Sequence, residues 1–280
     1  MMSNLSTPLR YPGGKRKLGK FLEQYLFVNN LHNCVYAEPF AGGAGLALYL
    51  LKKGLVSHLY LNDVDINIFS FWESVLYRNE ALCKMIVETP VTMEQWYQQK
   101  EKLGDSDPLT RGFATFFLNR TNRSGIILAG VIGGKEQKGK WKLDCRFNKK
   151  NLIDRIRSIG KVAEFVSFYN DDAEDFLKKV CFDFCEHSVT YIDPPYYVKG
   201  AGLYENHYKH EDHERLAGLI QEMKNPWIVS YDNHDSIKRF YSGSKKIEYT
   251  LNYSAQKHVE GKEVVFCGNS VFPNNCEELL

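Results

Sequence analysis

Asp193-Pro194-Pro195-Tyr196 follows an apolar run from Val189 to Ile192 and joins an acceptor, a rigid turn and an aromatic face in four positions. Such a set suits chemistry on an exocyclic amino nitrogen, whose lone pair is delocalised into its ring and must be drawn out before it can attack. The Asp193 carboxylate can accept one amino hydrogen and a main-chain carbonyl of the Pro-Pro turn the other, which favours a pyramidal nitrogen. The prolines fix φ at about −65° and hold that carbonyl in place. Tyr196 offers a stacking face, worth roughly 1–3 kcal/mol per base, and a base inside a duplex must first be flipped out to reach it.

A second constellation lies upstream, in Glu38-Pro39-Phe40-Ala41-Gly42-Gly43-Ala44-Gly45, with Asp63 closing the next strand-like run, SHLYL. The glycines let a ligand approach the backbone, and a carboxylate roughly 20 residues on can take ribose hydroxyls. By itself this fits a nicotinamide dinucleotide as well as S-adenosylmethionine. Glu38 leans toward the second, because a carboxylate repels a pyrophosphate and welcomes an ammonium. Tyr11-Pro12-Gly13-Gly14-Lys15 lacks the spacing of a triphosphate-binding loop. It can instead close over a cofactor, Lys15 meeting a methionine carboxylate and Tyr11 packing nearby.

Elements that could position these residues follow from the pattern. Val35 to Ala37 reads as a strand feeding the glycine turn, LALYLLKKG as a helix capped at Gly54, Ser57 to Leu61 as a strand and Ile66 to Met85 as helical. The alternation resumes with a strand at Ala163 to Tyr169, a helix at Ala173 to Val180 and the strand ending at Ile192. A helix around His213 to Lys224 and strands at Trp227 to Tyr231, Ile247 to Asn252 and Glu263 to Cys267 complete it. Between Pro90 and Lys161 the pattern is mixed, glycine-bearing and basic, as for an inserted module.

A net charge of +2 over 280 residues says little, but its placement says more. From Arg111 to Lys161 there are 13 basic residues against Glu136, Asp144 and Asp154, a local +10, so the remainder carries −8. That asymmetry suits a polyanion-binding module beside an acidic catalytic body. The seven cysteines are scattered and never spaced C-x-x-C, so free thiols and no metal are expected. His207, His210 and His213 recur every third residue in a polar stretch and are expected on a solvated helix face. No apolar run reaches a membrane span and the N-terminal segment is not a secretory peptide, so a cytoplasmic protein with no membrane role is expected.

In order, the Tyr11–Lys15 segment, Glu38 to Gly45, Asn62-Asp63 and Asp193 to Tyr196 resemble the Dam-like (D12 class, α-group) adenine-N6 DNA methyltransferases. Phe116-Phe117-Leu118-Asn119-Arg120 and Trp227-Ile228-Val229-Ser230 extend the resemblance over nearly the whole chain. It implies an α/β, Rossmann-like S-adenosylmethionine-dependent methyltransferase sheet, formed by 1–69 and 162–280, with a helical and hairpin target-recognition module at 70–161. Catalysis would rest on Asp193, Pro194, Pro195 and Tyr196. Tyr11, Lys15, Glu38, Pro39, Phe40, Gly42, Asp63 and Asp193 would hold the cofactor, with Phe168 and Asp172 at its adenine by position. Double-stranded DNA would meet Arg120, Arg123, Lys138, Lys140 and Lys142, and no obligate protein partner is expected. After Arg120 the chain departs from the Dam pattern that reads GATC, at Asn122 to Ile127 and again at Gly133 to Lys142, so the recognition sequence does not carry over. From the residues alone, the N4 of cytosine, an RNA adenine and a catalytically silent DNA-binding module stay open as alternatives.

Overall fold

The computed structural model describes residues 5–10, 18–198, 208–253, 259–274 and 276. Among these, β1 (Cys34–Glu38), β2 (Val56–Asn62), β3 (Val166–Tyr169), β4 (Ser188–Ile192), β5 (Trp227–Asp232), β6 (Lys245–Tyr253) and β7 (Val259–Gly268) form one sheet in the order β3-β2-β1-β4-β5-β7-β6. β1 to β5 pair in parallel, and β7 runs antiparallel to β5 and β6. The order reverses between β1 and β4, where connections leave to opposite sides and open a crevice at the strands' carboxyl ends.

Strand alternation sorts the core into two layers. Tyr36, Tyr191 and Ile228 face the cluster built with α1 (Leu18–Val28), α2 (Gly45–Lys52) and α3 (Ile66–Tyr77). Their neighbours Ala37, Ile192 and Val229 face α8 (Ala173–Phe176), α9 (His210–Gln221) and α10 (Asp235–Phe240). Buried on both faces, the central strands are largely apolar, with Ser188 and Thr190 of β4 buried among them.

The inserted segment holds α4 (Asn79–Glu88), α5 (Met93–Glu101), α6 (Pro108–Thr121) and α7 (Lys149–Gly160). The stretch read as one helix from Ile66 to Met85 is two, broken at Arg78 with φ −127° and ψ 35°. Beside the break the Asn79 amide bonds the carbonyls of Val75 (2.7 Å) and Ile156 (2.9 Å), a side-chain alternative to the helix ladder. α3 runs straight through the expected boundary at 69 and 70, and the insertion shares its core: Phe71 of α3 stacks on Phe116 of α6 at 5.9 Å. The two helices meet at Gly112, where a Cβ would sit 2.4 Å from the Ser70 carbonyl oxygen.

No hairpin of strands forms in the insertion. An isolated antiparallel bridge joins Asn122 to Val131, and Gly125, Gly133 and Gly134 take positive φ, which bends the chain away from extended pairing. No helix among the described residues is long and apolar enough to cross a membrane.

Candidate active site

Side chains two apart on a strand share a face, and at the carboxyl end of this sheet that rule assembles a polar ladder. On β1 the Tyr36 hydroxyl donates to Glu38 Oε1 at 2.7 Å. Glu38 is buried, and burial, reinforced by the nearby Asp193 charge, pushes its carboxyl up to about 8 despite that hydrogen bond. On β4 the same spacing relates Tyr191 and Asp193. Ser230 of β5 donates to Asp193 Oδ1 at 2.8 Å, and its one proton being committed there, the Tyr191 hydroxyl at 2.8 Å must donate to Ser230. The Tyr196 hydroxyl donates to Glu263 Oε1 at 3.0 Å, and Tyr249 donates to the other oxygen at 2.6 Å. Glu263 on β7 is buried, so Tyr196 is tethered at its far end.

The glycine turn is organised by Asp63. Its carboxylate accepts the Gly42 N–H at 2.9 Å and the Asp65 N–H at 3.0 Å, while Trp72 Nε1 donates to the Gly42 carbonyl at 2.8 Å. Gly42 and Ala44 both take φ 47°, the left-handed conformation that turns the chain from β1 into α2. Burial pushes the Asp63 carboxyl up to about 7. The buried Asn62 amide holds the Pro39 carbonyl at 3.0 Å. Beside this turn lies a cavity of about 160 Å³, with Pro39, Phe40, Asn62, Asp172 and Tyr208 among its walls. Asp172 also caps α8 through the Glu174 N–H at 2.9 Å.

These features fit an amino-acid nucleoside carrying positive charge. A buried carboxyl held near 8 is stabilised as its anion by an arriving cation, apolar walls suit a base, and Asp172 is an acceptor at the rim. Phe168 falls elsewhere: strand alternation turns it to the α3 side, stacked on Trp72 at 5.8 Å, and it is not among the cavity walls. Tyr11 and Lys15 lie outside the described residues.

The basic residues divide by what they bond. Arg120 Nε donates to the Arg146 carbonyl at 2.8 Å and Nη1 to that of Pro8 at 3.4 Å, and burial lowers its guanidinium to about 10. Lys149, Arg155 and Arg157 likewise hold Thr89, Thr7 and Glu80. Arg123, Lys138 and Lys140 are exposed. Lys142 is exposed too, its ammonium on the Gln137 carbonyl, and Lys140 lies 5.7 Å from the ring centre of Trp141, itself 61% exposed. Of the histidines expected on a solvated face, His207 lies outside the described residues, His210 is exposed, and His213 is buried with Nδ1 2.9 Å from the Tyr231 hydroxyl. Burial lowers His213 to about 4, so it is neutral. Tyr36, Tyr191 and Glu263 are the residues sequence reasoning missed; for the two tyrosines the signal is a polar group two positions before a motif carboxylate in an otherwise apolar strand.

A family model described as D12 class N6 adenine-specific DNA methyltransferase matches residues 11–258. The Type II methyltransferase M.MjaIII of Methanocaldococcus jannaschii is 22% identical over 204 residues, 67% of this chain and 68% of that protein. Among solved structures, a Pyrococcus horikoshii protein described as an RNA methyltransferase is 10% identical at a TM-score of 0.45, covering 94% of this chain and 88% of its own. The rRNA methyltransferase aviRa of Streptomyces viridochromogenes is 11% identical at 0.38, covering 92% and 84%. With the family model spanning most of the chain, from the glycine-lysine segment through the Asp193 motif, the protein belongs to the D12 class N6 adenine-specific DNA methyltransferases and uses S-adenosylmethionine as methyl donor.

Proposed function

We propose that Asp193, the carbonyls of Pro194 and Pro195, and the ring of Tyr196 act directly on a flipped-out adenine of double-stranded DNA. The observation that carries this reading is the Tyr191–Ser230–Asp193 chain, which fixes an acceptor beside Glu38 where the strand order reverses. Ser230 holds one carboxylate oxygen, so the orientation of Asp193 is set before substrate arrives. An amino hydrogen of adenine is accepted by Asp193 and the second by a carbonyl of the Pro-Pro turn, localising the N6 lone pair. Tyr196, anchored through Glu263, presents its ring to the extruded base.

S-adenosylmethionine supplies, when bound, an electrophilic methyl on a sulfonium centre. Glu38 takes its ammonium, Pro39 and Phe40 wall the nucleoside, Asp172 faces it from α8, and Gly42 keeps the turn open under Asp63. Segment 70–161 acts as the target-recognition module, with Arg123, Lys138, Lys140 and Lys142 toward the duplex. Arg120, its guanidinium committed to carbonyls, serves to shape that module. Kinship with a Type II methyltransferase supports action within a restriction-modification pair.

Transfer of a labelled methyl group to DNA, followed by sequencing of the product for modified adenines, tests base, atom and context together. Label at N4 of cytosine, or transfer to RNA in preference to DNA, would overturn the reading.

A further inference from the structure

Two carboxylates on neighbouring strands grip the loop that follows β4. Pro194 and Pro195 have no N–H, so neither can donate a backbone hydrogen bond that would hold the loop. Asp232, the last residue of β5, accepts the Tyr197 N–H on Oδ1 at 2.8 Å and the Val198 N–H on Oδ2 at 3.1 Å. Both oxygens of one side chain are thus spent on consecutive amides. The residue directly opposite Asp232 in the β5–β7 ladder is Glu263, which holds the Tyr196 hydroxyl. Beyond that clamp, the Tyr197 ring lies 4.4 Å from His234 and 5.3 Å from His213, and its hydroxyl is 2.8 Å from His210 Nδ1. Tyr196 and Tyr197 therefore go to separate partners, and Asp232 fixes the backbone just after them.

Two acidic side chains, Asp232 and Glu263, directly opposed across an antiparallel ladder are a pairing that sequences ordinarily avoid. A site where a sequence breaks such a local rule is expected to be functional. We propose that Asp232 is a positioning residue for methyl transfer: its carboxylate sets the height and orientation of the Pro194-Pro195-Tyr196 segment relative to Asp193. The proposal rests on the catalytic role given above to Asp193 through Tyr196. It requires that loss of Asp232 displace the carbonyl and ring that meet the base without disturbing the cavity beside Phe40, most of whose walls, Pro39, Phe40, Asn62 and Asp172 among them, come from other elements.

The test compares Asp232→Ala, Asp232→Asn and Asp193→Ala in the full chain, on DNA from a host lacking adenine methylation. Single-turnover methyl transfer at saturating cofactor should fall about 100-fold in Asp232→Ala, the scale of a misplacement of about 1 Å. It should fall less in Asp232→Asn, which keeps one acceptor but turns an amide donor toward the second N–H. Cofactor affinity should be unchanged, amide exchange at 197 and 198 should accelerate, and the melting temperature should hold, because water can reach the N–H groups of half-buried Tyr197 and exposed Val198. A merely structural role would lower melting temperature, cofactor affinity and rate together, and that result would overturn the proposal. So would a parental rate in Asp232→Ala while Asp193→Ala is inactive, which sinks the clamp alone. Full turnover by Asp193→Ala would instead sink the catalytic reading and the clamp with it.

Discussion

Asp193 sits at the end of a buried strand yet is itself only half-buried, so replacing it removes an acceptor without emptying a core. Asp193→Ala is expected to abolish methyl transfer while melting as the parent does; near-normal turnover in a radiolabel assay would contradict the mechanism. Glu38 makes a sharper prediction. Its carboxyl is raised by burial from an ordinary 4.5 to about 8, so the folded protein binds more protons than the unfolded chain between those values. The contribution of Glu38 to the stability of the cofactor-free protein should therefore be full below about 4.5 and be lost as pH rises through about 8, and Glu38→Gln should remove that loss in denaturant titrations compared with the parent. Binding of a cofactor ammonium should expel the proton, so calorimetry near pH 7 in buffers of different ionisation enthalpy should report proton release by the parent and none by Glu38→Gln. The motif residues themselves were legible in the sequence. Ser230 and Glu263 had no legible role, because a serine or glutamate within a strand signals a buried partner only once the register places Asp193 and Tyr196 beside it.

The turn from β1 into α2 depends on an acceptor contributed after β2. Removing it in Asp63→Ala leaves the Gly42 and Asp65 N–H groups without their acceptor. A buried N–H left unpaired costs about 1–3 kcal/mol, so cofactor affinity should fall at least about 10-fold, with DNA affinity much less affected. Calorimetry showing equal cofactor affinity for variant and parent would remove Asp63 from the site. The ribose role expected from its position and the turn-holding role seen here draw on the same carboxylate. Strand positions were readable because apolar runs and period-two alternation are strong signals, and β1, β2, β4 and β5 fall within a residue or two of expectation. Helix breaks were not: the Arg78 break depends on Asn79 reaching Ile156, far along the chain. The expected hairpin failed for a related reason, since three glycines of that stretch take conformations that no periodicity encodes. His213 misled because a polar sequence context hid a residue buried by α9 packing on Tyr231.

Over the whole molecule, charge is segregated, and much of the positive share has internal work. Lys138, Lys140 and Lys142, with Lys135, are exposed on the insertion's loop, and an observed affinity limited by counterion release should fall with salt at about −0.9 per phosphate met. Replacing Lys138, Lys140 and Lys142 with alanine should flatten that slope and weaken binding to every sequence alike, whereas Arg123→Ala should relax specificity at one position. A parental salt slope in the triple variant would mean that the duplex lies elsewhere. The N-terminal segment also reaches into this half of the molecule: Arg10 donates its N–H to Asn119 Oδ1 at 2.7 Å and accepts from the Asn119 amide at 2.8 Å. Arg10 immediately precedes the glycine-lysine segment proposed for the cofactor, and Asn119 lies on α6 of the segment proposed for DNA recognition, so this hydrogen-bonded pair joins the two proposed sites. Thermodynamic reciprocity then requires that cofactor sharpen DNA affinity by the same factor by which DNA sharpens cofactor affinity. Asn119 shares that bridge with Arg120 and Arg155, which hold the carbonyls of Pro8 and Thr7, and Asn119→Ala is expected to bring both factors toward unity in paired titrations.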